Sequence, residues 1–251
     1  MPPVPSSPPA DARELVARNH AFYEALWSRT YLTRPQRFNT WPLLSALLAA
    51  APRRLEVGPG LRPRLPVAGT HFLDLSPSAV SRLNAAQGLA QVGEITALPF
   101  ADRAFDLVVA CDVVEHVDDD RRAFAELARV LRPGGVLVFS VPLYAQRWTP
   151  FDACVGHARR YEPAPLLALL SAQGLRIEKS AVFGMQANNP RALRFTVWAL
   201  TEFRPAAIRW YNWLLFPLGL LLQKPLRWRE GLPDLANVDE ILLVCRRHAG
   251  T

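Results

Sequence analysis

The sequence predicts an α/β fold built on a doubly wound, mostly parallel, Rossmann-like sheet of seven strands. A helical cap precedes this sheet, and a helical insert precedes its last strand. Two observations carry the prediction. Strand and helix signals alternate through residues 52–187, as they do when helices cover both faces of a parallel sheet. The segments AFDLVVACDVV (104–114) and GGVLVFSVP (134–142) are apolar on both faces, as central parallel strands are.

The residues before the first strand predict a tail and a helical cap. Residues 1–10 are rich in Pro and Ser, which predicts a disordered tail. Through residues 11–51 apolar side chains such as Leu15, Phe22 and Leu26 recur at roughly helical spacing, and prolines interrupt the pattern twice. We expect this part of the chain to form a helical lid.

The remaining elements of the core follow from local signals. They are the strands RRLEV (53–57) and HFLDL (71–75), the helix SPSAVSRLNAA (76–86), the helix in DDDRRAFAELARVLRPGG (118–135), and the helix, turn and strand of EPAPLLALLSAQGLRIEKSAVF (162–183). Ser76 can cap the helix that follows the second strand, and Pro77 suits its first turn.

The end of the chain has a different composition. Residues 188–236 are dense in Trp, Phe, Leu and Pro, and we expect them to form an aromatic helical insert. Residues 237–251 contain DEILLVCRR, which predicts the last strand. If that strand pairs with LRIEKSAVF (175–183), the whole insert lies in one hairpin-like connection.

Composition excludes some classes of function. The net charge is +7 and the pI about 9.9, but the basic residues are nearly all Arg and are scattered along the chain, so no nucleic-acid partner is expected. The three cysteines are far apart, which predicts neither a disulfide framework nor a metal site and favours a reducing cytosol.

The loop after the first predicted strand predicts the ligand. In LEVGPG, Glu56 precedes Gly58 and Gly60, and no third glycine follows. Pro63 and Pro66 interrupt the helix that would hold a diphosphate, which disfavours a nicotinamide dehydrogenase. Ligands of open parallel sheets bind at the carboxyl ends of the strands, and here those ends carry acids. This pattern favours a nucleoside with a cationic tail.

Four motifs in order carry a resemblance to a known family. LEVGPG, FLDLSPSAV, GEITALPFADRAFDLVVACDVVEHV and LRPGGVLVFSVP resemble the motifs of class I S-adenosylmethionine-dependent methyltransferases, in particular the small-molecule enzymes of the type 11 and type 12 group. The likeness covers about residues 53–183. It implies S-adenosyl-L-methionine as the cofactor.

The resemblance also implies a role for individual residues. The methionine part of the cofactor would lie against Glu56, Gly58, Pro59 and Gly60, the ribose and adenine against Asp74, Leu75, Glu94 and Ile95, and the amino group near Cys111 and Asp112. This chain departs from the family pattern after Gly60, where the proline-broken segment predicts a short helix or none. We therefore expect Arg62 or Arg37 to bind the cofactor carboxylate.

The segment FDACVGHARRYEP, after the fifth predicted strand, offers candidates for catalysis. His157 is the first candidate base and His116 the second. The alternative, which the sequence leaves open, is that His157 and Arg160 are structural and pair with Asp152. The expected substrate contacts are Tyr31, Trp41, Tyr144, Asp152, Arg160, Tyr161 and Trp198.

The sequence therefore predicts methyl transfer to a hydrophobic small molecule, natural-product or lipid-like, at an O, N or C atom. One alternative is a module that binds S-adenosylmethionine without transferring its methyl group. Another is a lipid methyltransferase at a membrane surface, because WYNWLLFPLGLLL (210–222) is too short to span a bilayer but could lie in its interface. A lid over the substrate is the favoured role for this segment, and a peripheral membrane contact is the second.

Overall fold

A computed structural model of the chain describes residues 12–184 and 190–248. The predicted tail (1–10) and residues 185–189 lie outside the described residues. Within the described ranges one sheet of eight strands has the order β3-β2-β1-β4-β5-β8-β6-β7. Its strands are β1 (Arg54–Val57), β2 (His71–Asp74), β3 (Leu89–Val92), β4 (Phe105–Cys111), β5 (Leu131–Pro142), β6 (Leu175–Val182), β7 (Arg229–Glu230) and β8 (Glu240–Arg247).

The sheet confirms the predicted fold, with one strand more than the seven expected. Strands β1 to β5 pair in parallel, and β8 pairs antiparallel with both β5 and β6. The pairing of β8 with β6 confirms that the insert lies in one connection. The extra strand, β7, is two residues long and joins the edge of the sheet beside β6. So short a strand has no period-2 pattern that the sequence could reveal.

Nine helices are described in the same ranges. They are α1 (Ala12–Trp27), α2 (Trp41–Leu48), α3 (Pro77–Ala85), α4 (Asp120–Val130), α5 (Pro150–Val155), α6 (Pro163–Ala172), α7 (Pro190–Glu202), α8 (Arg204–Trp210) and α9 (Phe216–Leu222), and a π-helical turn (Tyr211–Leu215) joins α8 to α9. The predicted cap of α3 is confirmed, since the Ser76 hydroxyl accepts the N–H of Ala79 and Pro77 begins the helix.

Apolar side chains cover both faces of the sheet. The larger cluster lies between the sheet and helices α4 and α6, with Phe124 edge-on to Phe139. A smaller cluster packs α2, through Leu44, against residues of β4, β5 and β8 on the other face. The central strands are therefore buried on both sides, as their composition predicted.

The N-terminal helix and the insert form a third apolar cluster at the carboxyl ends of the strands. Phe22, Leu26 and Trp27 of α1 pack in one cluster with Leu200 of α7 and Ile208 of α8. Glu24 ties α1 to the core, because its carboxylate accepts hydrogen bonds from the hydroxyls of two serines at the start of α3. The cap and the insert thus lie together over the edge of the sheet where ligands bind.

Candidate active site

The glycine loop after β1 fits tightly between two other elements. Gly58 and Gly60 have φ values of +64° and +52°, which favour glycine. A Cβ on Gly58 would lie 2.7 Å from Val113, just after β4, and a Cβ on Gly60 would overlap the ring of Trp27. The loop therefore needs glycine both for its backbone conformation and for space.

Glu56 holds the chain that follows the loop. Its two carboxylate oxygens accept the backbone N–H groups of Arg64 and Leu65 at 2.8 and 2.9 Å. Burial raises the pKa of Glu56 to about 7. Residues 61–70 form turns and irregular structure, which confirms that a regular helix is absent here. A helix would supply hydrogen-bond acceptors for its backbone N–H groups. Here the carboxylate of Glu56 accepts two backbone N–H groups that would otherwise lack partners. Its predicted contact with the cofactor stays a prediction.

Asp74, the last residue of β2, is fixed by the same loop. Its two oxygens accept the N–H groups of Gly60 and Ser76, both at 2.8 Å. Burial raises its pKa to about 6. Because each carboxylate oxygen can accept a further hydrogen bond, Asp74 can also receive the two hydroxyls of a ribose.

Three carboxyl groups meet where β4 ends and β8 begins, and we call Asp112, Glu115 and Glu240 the acid cluster. Asp112 has a φ of +55° and is exposed, and it accepts the hydroxyl of Ser140. Glu115 and Glu240 are buried, and burial together with the charge of Asp112 raises the pKa of both. Among the described residues, Oε2 of Glu115 and Oε1 of Glu240 have no hydrogen-bond partner. Such unpaired buried oxygens suit a cationic ligand.

The two candidate histidines lie beside the acid cluster. Their rings are edge-on, with centroids 4.6 Å apart. His157 Nδ1 bonds a carboxylate oxygen of Asp152 at 2.9 Å, and Arg160 pairs with the same carboxylate at 3.0 and 3.1 Å. The pairing of His157 and Arg160 with Asp152, one of the two interpretations left open, is present. His116 Nδ1 bonds the carbonyl of Gly156, and burial lowers the pKa of His116.

The two arginines predicted to bind the cofactor carboxylate lie in different surroundings. Arg62 stacks on Phe216, with its guanidinium carbon 3.5 Å from the ring centroid, and donates to Tyr211 and Asn212 at 2.9 and 2.8 Å. It therefore joins the glycine loop to the insert. Arg37 is exposed in a 3-10 turn. Both roles stay predictions.

The other residues predicted to bind the cofactor lie at or just after the ends of strands β1 to β4. Pro59 lies within the glycine loop, Leu75 follows β2, and Glu94 and Ile95 lie where a 3-10 turn begins after β3. Ile95 is part of the main core, whereas Glu94 is exposed. Cys111 ends β4 and is half-buried, and burial raises the pKa of its thiol.

The residues predicted to contact substrate are spread over several surroundings. Tyr31 packs against Trp213 of the insert, with centroids 5.4 Å apart, and Trp41 begins α2. Tyr144 has a φ of +64° just after β5, and its hydroxyl donates to the carbonyl of Leu235. Three others, Asp152, Arg160 and Tyr161, are buried, and Trp198 is exposed on α7.

Sequence reasoning missed four residues of this site: Tyr23, Arg64, Glu115 and Glu240. The hydroxyl of Tyr23 lies 3.2 Å from Nε2 of His116 and is buried among the acids. Arg64 stacks on Phe38 and lies near Glu56 and Glu240. A signal existed for Glu115 and Glu240. Glu115 follows two valines and Glu240 precedes ILLV (241–244), and an acid is seldom buried beside such a stretch unless it is paired.

Comparisons with known proteins agree with this geometry. The profile of a family described as a methyltransferase domain matches residues 55–139. A probable S-adenosylmethionine-dependent methyltransferase of Mycolicibacterium smegmatis is 37% identical over 90 residues, which cover 34% of each chain. A demethylmenaquinone methyltransferase of Renibacterium salmoninarum is 46% identical over 55 residues, 21% of this chain and 23% of that one.

The fold has a similar counterpart among solved structures. An S-adenosylmethionine-dependent methyltransferase of Thermotoga maritima superposes with a TM-score of 0.53 at 17% identity, covering 83% of this chain and 90% of that one. Residues 55–139, which match the family profile, contain the glycine loop, Asp74, and two residues of the acid cluster, Asp112 and Glu115. Residues 55–139 match the methyltransferase-domain family, and the chain has the fold of S-adenosylmethionine-dependent methyltransferases. It spans less than two thirds of the length of the curated relatives it matches, at most 62%.

The residues of this methyltransferase domain fit S-adenosylmethionine. Asp74 has free lone pairs and stands where the resemblance implies the ribose. The acid cluster has unpaired buried oxygens, which suit a positively charged group. A diphosphate would be repelled by the carboxylates at these strand ends, Asp74, Asp112, Glu115 and Glu240.

Proposed function

We propose that the chain transfers a methyl group from S-adenosylmethionine to a hydrophobic small molecule. The observation that carries the proposal is the placement of Asp74 and the acid cluster on two sides of the glycine loop, under a cap of apolar side chains. S-adenosylmethionine supplies a methyl group on a positively charged sulfur. The chain's own residues have to hold that group and the acceptor in line.

The roles of the residues follow from their contacts. Asp74, held by the N–H groups of Gly60 and Ser76, would bind the ribose hydroxyls. Asp112 and the buried, unpaired Oε1 of Glu240 would bind the amino group. Glu56 would act indirectly, because its carboxylate holds the chain that follows the glycine loop and so keeps the loop in place. The roles of His157 and His116 as bases stay predictions.

The apolar acceptor is supported by the cap and the insert. Phe22, Leu26 and Trp27 pack in one apolar cluster with Leu200 and Ile208. An acceptor bound beside this cluster would meet few charges. The similarity to a demethylmenaquinone methyltransferase agrees with an apolar, ring-containing acceptor.

Release of S-adenosylhomocysteine tests the proposal. The full chain is incubated with S-adenosylmethionine and a panel of apolar acceptors: a reduced quinone, a phenol, an aliphatic amine and a fatty acid. We expect product with at least one of the ring-containing acceptors. Tight binding of the cofactor with no product from the panel or from cell extract would instead favour the module that binds without transfer.

One observation favours a second candidate, a lipid methyltransferase at a membrane surface. The insert exposes many large apolar side chains: Phe195, Trp198, Phe203, Trp210, Tyr211, Trp213, Leu214, Leu215, Leu218, Leu221 and Leu222. Exposed basic residues, among them Arg209, Lys224 and Arg227, lie nearby in sequence. Apolar side chains flanked by Arg and Lys are typical of segments that lie in the interface of an anionic bilayer. None of the described helices is both long enough and apolar enough to cross a membrane.

Sedimentation with vesicles tests this candidate. Leu221 and Leu222 are the most exposed of the set, at 76% and 69%. We expect the full chain to sediment with phosphatidylglycerol vesicles, and the double variant Leu221→Ser/Leu222→Ser to sediment at least severalfold less. Leu89→Ser, at an exposed leucine on the far edge of the sheet, is the matched control and should behave as the wild type. A wild-type chain that stays in the supernatant would rule the candidate out.

A further inference from the structure

Three potential metal ligands come together beside the acid cluster. Glu115, His116 and His157 each offer a ligand atom, and these atoms all lie within 4.8 Å of one another. Two of the residues are in one 3-10 turn after β4, and the third follows α5. The sequence predicted no metal site, because residues 116 and 157 are far apart and only the fold joins them.

The distance between Glu115 and His157 is too long for a hydrogen bond and lies in the range that two ligands of one ion span. Oε1 of Glu115 lies 3.9 Å from Nε2 of His157, beyond hydrogen-bonding range. An ion between the two atoms would have bonds of about 2.0–2.2 Å to each, which are the usual lengths for zinc with imidazole and carboxylate ligands. In the tetrahedral geometry usual for zinc, ligand atoms about 2.1 Å from one ion lie about 3.4 Å apart, so closing a gap of 4.8 Å requires a combined shift of about 1.4 Å.

The contacts of the two imidazoles prepare them as ligands. His157 has its Nδ1 bonded to the Asp152 carboxylate, and His116 has its Nδ1 bonded to the carbonyl of Gly156. Metal-bound histidines almost always donate their second ring N–H to a carboxylate or carbonyl in this way. Such a contact places the proton on Nδ1 and leaves the lone pair of Nε2 for the ion.

An independent observation also points into the same space. Oε2 of Glu115 is buried and has no hydrogen-bond partner among the described residues. The hydroxyl of Tyr23, which lies next to Nε2 of His116, has a second acceptor in the carbonyl of Val155 at 3.4 Å. If an ion binds Nε2 of His116, the Tyr23 hydroxyl can still donate to the carbonyl of Val155.

We propose that Glu115, His116 and His157 bind a divalent transition-metal ion. Two imidazoles and one carboxylate suit zinc, manganese or iron better than magnesium or calcium, which prefer oxygen ligands. Three protein ligands leave an open position, as in catalytic sites. If the proposed methyl transfer is right, an oxygen of the acceptor would take that position, and the two histidines act as ligands in place of bases.

Titration with metal tests the site on the full chain. The protein is treated with a chelator, dialysed, and titrated with ZnCl2 and separately with MnCl2 by calorimetry. We expect about one equivalent of at least one ion to bind. Glu115→Gln and His157→Gln should each weaken binding at least tenfold. His20→Gln, at an exposed histidine of α1, is the matched control and should bind as the wild type.

Two further measurements keep the outcome clear. Thermal melting identifies variants that fail to fold, and Co2+ added to the wild type should give visible absorption bands that Glu115→Gln loses. Binding of neither ion, or equal binding in wild type and Glu115→Gln, would overturn the proposal. Binding of S-adenosylhomocysteine, measured on the same samples, separates failure of the metal site from failure of the proposed function.

Discussion

Trp27 lies against Gly60, so that the last residue of α1 covers the glycine loop where a side chain at position 60 would otherwise project. This contact joins the helical cap to the loop that we propose binds the cofactor. It explains why Gly60 needs to be glycine even though no diphosphate has to approach it.

Replacement of Gly60 by alanine should therefore be costly. Strain at a φ of +52° costs about 1–2 kcal/mol, and the added methyl group must displace the indole at a further cost of about 1–3 kcal/mol. Gly134→Ala is the matched control, because its φ is +74° but a Cβ there meets nothing within 4 Å. Urea unfolding should show about 3 kcal/mol lost for Gly60→Ala and about 1 kcal/mol for Gly134→Ala. Equal losses would mean that Trp27 moves aside freely.

Asp74→Asn should weaken cofactor binding by at least tenfold. The side chain now accepts from two backbone N–H groups at once, and an amide can offer only one oxygen to them. The second backbone N–H would then face the amide NH2 group, which is also a donor. The ribose would lose one carboxylate oxygen as its acceptor, and the cost should be about 1–3 kcal/mol. Calorimetry with S-adenosylhomocysteine measures the change. Asp102→Asn, at an exposed acid paired with Arg129, should bind as the wild type. Unchanged affinity in Asp74→Asn would refute the assignment to the ribose.

Affinity for S-adenosylmethionine should rise with pH. Burial raises the pKa of Glu56 to about 7 and of Asp74 to about 6, so that both carboxyls are largely protonated below these values in the free protein. A cationic ligand favours the ionised forms. Binding should therefore strengthen from about pH 5 to about pH 7, a range in which most of the ligand's amino group is charged. Glu56→Gln should flatten the part of the profile near pH 7, whereas Glu178→Gln, at an acid paired with Arg246, should not. A flat wild-type profile would contradict this.

Arg62 should hold the insert in place. Its guanidinium stacks on Phe216 and bonds Tyr211 and Asn212, so Arg62→Ala removes every described link between this side chain and the insert. We expect faster proteolysis within residues 204–222 and a loss of about 1–3 kcal/mol in stability. Arg209→Ala, at an exposed arginine of α8, should be cleaved at the wild-type rate. Equal cleavage of the two variants would mean that the insert is held by its apolar contacts alone.

The fold was predictable where a local pattern determines the structure. The apolar strands β4 and β5, the cap at Ser76 and the absence of a helix after Gly60 all follow from neighbouring residues. Strand β7 was not predictable, since two residues carry no periodicity. Its pairing depends on tertiary contacts with β6.

The site was predictable to a smaller extent, for the same reason. Asp74 ends β2 and Asp112 follows β4, and both could be placed at the strand ends from the sequence alone. The burial of Glu240 depends on β8 returning between β5 and β6, and the position of Tyr23 depends on α1 docking over the loop. Contacts between elements distant in sequence have no local signal, so the grouping of Glu115 with His157 also needed the structure.

Calorimetric titration of the full chain with S-adenosylmethionine tests the central claim most directly, with NAD titrated in parallel under the same conditions. The account predicts one binding site for S-adenosylmethionine and no heat with NAD. Heat with NAD alone, or with neither compound, would contradict the claim that the acids at the strand ends hold an adenosyl group with a cationic tail.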